Sequence, residues 1–115
     1  MDNLDIAKFG GTSVGNYAAM LSSCRVVAGN PHTRLVVVSA CAGVTNILVE
    51  LASGSCDSAR LRALTGQLRD IHMEIISHLK AAHDLTVVLE RHIKDIVNLT
   101  VQAGMERSDE LTDRL

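Results

Sequence analysis

A short apolar segment that runs straight into two adjacent glycines, Leu4 to Phe9 followed by Gly10-Gly11, constrains this chain more than any other feature. Apolar residues without a helical period, ended by residues that tolerate backbone angles closed to others, describe a buried strand entering a sharp loop. After Gly15, the residues Tyr17, Met20, Leu21, Cys24 and Val27 recur at three- and four-residue spacing. Asn16 is placed to cap this helix and Gly29-Asn30 to stop it, so it should pack by one face. Leu35 to Val38 is then an unbroken leucine and valine run between Pro31 and small residues, as in a strand covered on both sides. Strand, helix and strand in that order predict an α/β class with a parallel βαβ unit and a right-handed crossover.

Beyond the second strand the period changes to that of helices. Val44, Ile47, Leu48 and Leu51 trace one helical face up to Gly54. A long amphipathic stripe follows from Asp57 to about Ala81 through Leu61, Leu64, Leu68, Ile71, Ile75 and Leu79. A second, after His83-Asp84, runs through Leu85, Leu89, Ile93, Ile96 and Leu99. Ser108 is suited to cap a further helix with Asp109 and Glu110 in its first turn. The chain stops at Leu115 barely two turns later, which reads as a truncation. A parallel βαβ unit followed by long helices is therefore the expected architecture, and 115 residues suit one domain better than two.

Charge and composition exclude several classes of partner. A formal charge of −2 offers no polycationic surface for nucleic acid or anionic lipid. Phe9 and Tyr17 are the aromatic residues, too few to form stacking platforms for bases. No apolar run is long enough to cross a bilayer, and the first strand begins too early for a signal sequence, so a cytoplasmic protein is expected. Cys24, Cys41 and Cys56 fit neither a zinc pattern nor paired disulfides and read as free thiols. The five histidines, His32, His72, His78, His83 and His92, are scattered and read as solvated or partly packed rather than as metal ligands.

The chemistry is concentrated in Lys8-Phe9-Gly10-Gly11-Thr12-Ser13-Val14. Glycines let backbone N–H groups approach anionic oxygens, hydroxyls add hydrogen bonds, and a lysine at the strand end sets one positive charge beside them. A plain turn with a surface cation would have the same residues. The string is neither a Walker loop, whose lysine follows the glycines, nor a dinucleotide fingerprint, which needs a third glycine in register. A second stretch, Val38-Ser39-Ala40-Cys41-Ala42-Gly43-Val44-Thr45-Asn46, leaves the carboxyl end of the second strand, where open α/β sheets keep their ligands. Ser39 and Thr45 would also serve as ordinary caps of the helix beginning there.

The first string resembles the opening strand of aspartate kinases, members of the amino acid kinase family, over all seven residues of KFGGTSV and at the position where that family carries it. The second resembles the family's VSAxAGxTN segment. Acetylglutamate kinase and uridylate kinase share the lysine and glycines but not usually the whole string. The spacing between the two stretches is most similar to the lysine-sensitive, single-function type. The resemblance is strong up to about Leu51 and beyond it is one of pattern.

The resemblance implies the N-terminal part of an amino acid kinase (carbamate kinase-like) fold, with residues 1–115 as the front of a catalytic domain and the regulatory ACT domains absent. It implies transfer of the ATP γ-phosphate to the side-chain carboxylate of L-aspartate. In that reaction Lys8 would be catalytic. Lys8, Gly10, Gly11, Thr12 and Ser13 would hold the phosphates, and Ser39, Ala40 and Thr45 the aspartate. Magnesium would be held through the ATP phosphates rather than by a protein metal site. Lysine would act as feedback inhibitor of a homodimeric parent enzyme, and the piece alone would be inactive or nearly so. The alternative is a non-catalytic helical interaction module that docks a partner through its amphipathic stripes.

Overall fold

Two short strands, β1 (Asp5–Phe9) and β2 (Thr33–Val38), pair in parallel across the helix α1 (Tyr17–Ala28), as the βαβ reading requires. The computed structural model describes residues 4–113. Ile6 pairs with Leu35, Ala7 with Val36, Lys8 with Val37 and Phe9 with Val38, while the register slips between Asp5 and Ile6. The entry to β2 is tied to the start of β1: Asp5 N–H donates to the His32 carbonyl at 3.0 Å, and Asn30 Nδ2 donates to Asp5 Oδ2 at 2.8 Å. Four helical pieces complete the chain, a 3-10 turn at Gly11–Val14 and the helices α2 (Val44–Ala52), α3 (Ser58–Ile76) and α4 (Ala82–Asp113).

The helix ends follow from local chemistry. Asn16 caps α1, its Oδ1 accepting from Ala19 N–H at 2.9 Å, and Asp57 caps α3 in the same way through Arg60 N–H at 2.7 Å. Helix α3 ends at Ile76, short of Leu79, because His78 and Leu79 N–H turn back to the carbonyls three residues earlier. Ser108 starts no new helix. It lies inside α4, and Thr112 Oγ1 donates to its carbonyl at 3.0 Å as a side chain one turn further along does. The good helix formers Met105, Glu106 and Arg107 carry the backbone bonds through this point, so no end is left to cap. The terminal Leu115, on which the truncation reading fell, lies outside the described residues.

The chain forms two compact units, Met1–Val44 and Thr45–Leu115. In the second unit the predicted stripes supply the core. Ile47 and Leu51 of α2, Leu64, Leu68 and Ile75 of α3, and Ile93 of α4 are buried, whereas Leu48, Leu79 and Leu99 are not. Arg69 of α3 grips Glu90 of α4 with one edge of its guanidinium, Nε donating to Oε1 at 2.6 Å and Nη2 to Oε2 at 3.2 Å. That hydrogen-bonded pairing holds the Glu90 carboxyl below the usual carboxylate range. Arg60 pairs with Glu50 in the same two-pronged way and lowers its pKa likewise. Gly54, between α2 and α3, has a φ of 74°, and a Cβ there would meet the Ala103 carbonyl oxygen of α4 at 2.6 Å. Only glycine meets both demands. His72 Nδ1 lies 2.6 Å from the Leu68 carbonyl of its own helix, a partly packed histidine as expected.

The first unit departs from the sequence reading. β2 was expected to be covered on both faces, yet Leu35, Val36, Val37 and Val38 are all exposed. Among the described residues the sheet has two strands, and its faces are largely bare. Nor does α1 bury its stripe: Tyr17, Met20, Leu21 and Val27 are half-covered, Cys24 is exposed, and the buried residue is Ser23. Expectations drawn from apolar runs assume that a covering layer exists, and here the described elements do not provide one.

Substitutions in the second unit separate core from surface. Leu64, 2% exposed, should lose about 2–5 kcal/mol of stability on Leu64→Ala by opening a cavity. Gly66 lies within α3 with open space around it, so Gly66→Ala should add about 0.5–1 kcal/mol by relieving the entropy of a helical glycine. Urea denaturation of both variants checks the pair of opposite signs.

Candidate functional site

Parallel pairing brings the carboxyl ends of β1 and β2 to the same edge of the sheet, so both predicted loops leave from one place. Main-chain bonds then join them. Ser39 N–H donates to the Phe9 carbonyl and Ala42 N–H donates to the Gly11 carbonyl, each at 3.1 Å. Small residues make this approach possible. A Cβ on Gly11 would meet the Ala40 carbonyl oxygen at 3.0 Å and the Ala42 nitrogen at 3.3 Å, while one on Gly15 would meet the Gly11 carbonyl oxygen at 3.0 Å. In the second loop Gly43 takes a φ of 87°, a left-handed turn before α2.

The first loop is a tight 3-10 turn. Gly10 enters it in ordinary extended geometry, with φ −77° and ψ 175°, and Ser13 N–H donates back to the Gly10 carbonyl at 3.1 Å. The opening amides of such a turn have no earlier partner within it, so those of Gly11 and Thr12 are the ones geometrically suited to an anion. Ser13 spends its own amide on the turn. Its carbonyl accepts the buried Ser23 hydroxyl at 2.7 Å, which pins the turn to α1. Val14 closes the turn as a buried side chain.

Lys8, Gly10, Gly11, Thr12, Ser13, Ser39 and Ala40 thus lie together at one sheet edge within the first unit. Lys8, Gly10, Thr12, Ser39 and Ala40 are exposed, with Gly11 and Ser13 partly covered. Thr45 belongs to the second unit, as an exposed residue in the first turn of α2. Cys41, between the two halves of the second loop, is half-buried, and that burial raises its thiol pKa against a smaller lowering by a backbone hydrogen bond. Among the described residues no group of three or more His, Cys, Asp or Glu side chains is placed to hold a metal ion. No described helix is long and apolar enough to cross a membrane.

Sequence reasoning missed three supporting residues, namely Ser23, Gly15 and Ala42. Ser23, one of two adjacent serines in α1, carries no signal that marks it out, whereas the small residues in both loops were the signal for the others.

The geometry fixes an order of tolerance among the loop glycines. Gly11→Ala should cost about 1–3 kcal/mol, because the new methyl pushes against backbone that cannot yield without breaking the Ala42 bond. Gly10→Ala, with nothing within 4 Å of the added Cβ, should stay within about 0.5 kcal/mol of the parent. Thermal unfolding of the two variants side by side is the check.

No protein-family model matches the chain. Among curated proteins, lysine-sensitive aspartokinase 3 of Escherichia coli is 37% identical over 115 residues, all of this chain and 25% of the relative. A putative inactive aspartokinase 3 of Haemophilus influenzae is 57% identical over 54 residues, 47% of this chain and 45% of the relative. An aspartokinase of Chlamydia trachomatis is 33% identical over 96 residues, 82% of this chain and 22% of the relative. Among solved structures, E. coli aspartokinase III in complex with aspartate and ADP superposes with a TM-score of 0.84 at 34% identity, over 89% of this chain and 23% of that one. The same enzyme with lysine and aspartate gives a TM-score of 0.83 at 35% identity, over 90% of this chain and 23% of that one. The chain spans a quarter of the length of the E. coli relative and less than half that of the Haemophilus one.

Proposed function

The chain belongs to the aspartokinase family, and from that membership we propose that it is the front of an aspartate kinase catalytic domain, carrying the phosphate loop and part of the aspartate site. The observation that supports this most is the pair of main-chain bonds, Ser39 to Phe9 and Ala42 to Gly11, which makes one surface of two separate motifs. A phosphate donor and an amino acid acceptor have to meet, and here the loops proposed to hold them are fastened together.

In this reading the γ-phosphoryl group passes from ATP to the side-chain carboxylate of L-aspartate. The bond to the β-phosphate oxygen breaks, a bond to the carboxylate oxygen forms, and ADP and 4-phospho-L-aspartate leave. A carboxylate is already a nucleophile at neutral pH, so the protein has no proton to remove and works by positioning and charge neutralisation. Lys8 stabilises charge on the transferred group. The amides of Gly11 and Thr12, beside Gly10 at the entry of the turn, and the hydroxyls of Thr12 and Ser13 hold the phosphates. Ser39, Ala40 and Thr45 line the aspartate. Magnesium would be held through the ATP phosphates. For the whole enzyme the reading extends to a cytoplasmic homodimer inhibited by lysine, consistent with a solved relative that binds lysine and aspartate.

The residues proposed here do not complete a kinase site. Groups for the substrate amine, for its backbone carboxylate and for the nucleotide base have no counterpart among them. These 115 residues alone are therefore proposed to be inactive or nearly so. The name of the Haemophilus relative, a putative inactive aspartokinase, points the same way.

An aspartate- and ATP-dependent hydroxamate assay tests both parts. The 115-residue chain should give no turnover above buffer, and measurable turnover would sink the claim of inactivity. In a full-length gene product that is active, Lys8→Ala should lower kcat by about 100-fold or more with unfolding unchanged, as loss of one charge-stabilising group does. Retention of full kcat would remove Lys8 from the mechanism.

A further inference from the structure

Serine and threonine hydroxyls inside a helix ordinarily return to a carbonyl three or four residues back in the same helix. Thr65 of α3 does so to Leu61 at 2.9 Å, and Thr86 of α4 to Ala82 at 2.7 Å. Ser23 of α1 departs from this habit. Its hydroxyl leaves the helix and donates at 2.7 Å to the carbonyl of Ser13, ten residues earlier and within the 3-10 turn. Ser22 beside it is exposed, whereas Ser23 is 8% exposed and lines, with Val14, Met20 and Cys24, a groove of about 460 Å³. A hydrogen bond in such apolar surroundings is stronger than one in water.

The position of that bond in the turn gives it a use. Two carbonyls of the turn are held from outside. That of Gly11 accepts from the Ala42 amide of the second loop at 3.1 Å, and that of Ser13 accepts from Ser23. A trans peptide points its carbonyl and its N–H in opposite directions, so the Ala42 bond sets the direction of the Thr12 amide. One fastening leaves a turn free to pivot about it, and a second, from a different element, stops the pivot. Ser13 also closes the turn by donating its amide to the Gly10 carbonyl, so both of its backbone groups are engaged and the direction of its side chain follows. Donors aimed in advance at an anion act more strongly than donors that must first be ordered.

We propose that Ser23 is a positioning residue of the turn that holds phosphate. It touches no ligand, and through the Ser13 carbonyl it keeps the Gly11 and Thr12 amides and the Ser13 hydroxyl directed at the anion. The inference rests on the phosphate-loop reading of Lys8 to Ser13.

The test is a titration of the isotope-labelled 115-residue chain with inorganic tripolyphosphate at low ionic strength, read from the NMR shifts of the Gly11 and Thr12 amides. Both amides should shift and saturate in the parent chain. Ser23→Ala should weaken binding at least about fivefold, because the anion must then order its own donors. Ser23→Thr keeps the hydroxyl and has the groove to receive its methyl group, so it should return to within about twofold of the parent affinity. Ser22→Ala, one position away and exposed, should bind as the parent does. If Ser23→Ala does not fold, Ser23→Cys, close in size but a weak donor, is measured in its place. Equal affinity in the parent and in the variant lacking the hydroxyl, whatever the change in melting temperature, makes Ser23 a structural contact and overturns the proposal. So does a loss with threonine as large as that with alanine. A parent chain whose amides do not respond overturns the phosphate-loop reading itself, and the positioning role with it.

Discussion

The parallel pairing of β1 with β2 is the constraint on which the rest of the first unit depends. An antiparallel pair would send the two loops to opposite edges. A parallel pair with Phe9 opposite Val38 sends both to the same edge and in register. From there Ser39 N–H reaches the Phe9 carbonyl and Ala42 N–H reaches that of Gly11, which continues the ladder past the end of regular strand. Gly11, Gly15 and Ala42 are small because backbone meets backbone at van der Waals distance. Ser23 then ties the turn to α1 through the Ser13 carbonyl. Each of these details would be without purpose if the strands ran the other way.

What could be read from the sequence was whatever depends on neighbours in the chain. The cap at Asn16, the stop at Gly29, the order of strands and the glycine that ends α2 are short-range physics, and each appears where its residue type predicts. The motif residues Lys8 to Ser13 and Ser39 to Ala40 were legible as candidates, and their closeness followed from the parallel topology. Long-range accounting was not legible. Leu35 to Val38 reads as a doubly covered strand because nothing in a valine run says whether its covering layer is present. Ser108 reads as a helix start because a capping residue does not reveal that the preceding turn already supplies its hydrogen bonds. The buried Ser23 was passed over since a hydroxyl in a helix gives no hint of a partner ten residues earlier.

Stability and chemistry are divided between the two units. The second holds most of the buried aliphatic side chains, Leu51, Leu64, Leu68, Ile75 and Ile93 among them, and it carries the paired ions Arg60 with Glu50 and Arg69 with Glu90. Those pairs are exposed to water, which screens them, so packing rather than charge holds α3 to α2 and to α4. The first unit holds the loops, but among its described residues Val14 and Val44 are the apolar side chains that it buries. Its order rests on hydrogen bonds and on strand pairing, which water competes for.

That weakness bears on catalysis as well as on folding. Two unit charges at 4 Å attract by about 1 kcal/mol in bulk water but by about 4 kcal/mol at the effective dielectric of a protein surface. Lys8 and the first turn's Thr12 are exposed to water and salt, which screen their pull on an anion. Preorganised donors act strongly on a developing anion only where water is excluded. Covering the sheet would therefore do two things at once. It would bury Leu35, Val36, Val37 and Val38, and it would lower the dielectric around the loops that those strands position. One covering layer would thus meet both the requirement for a folded sheet and the requirement for an effective anion site.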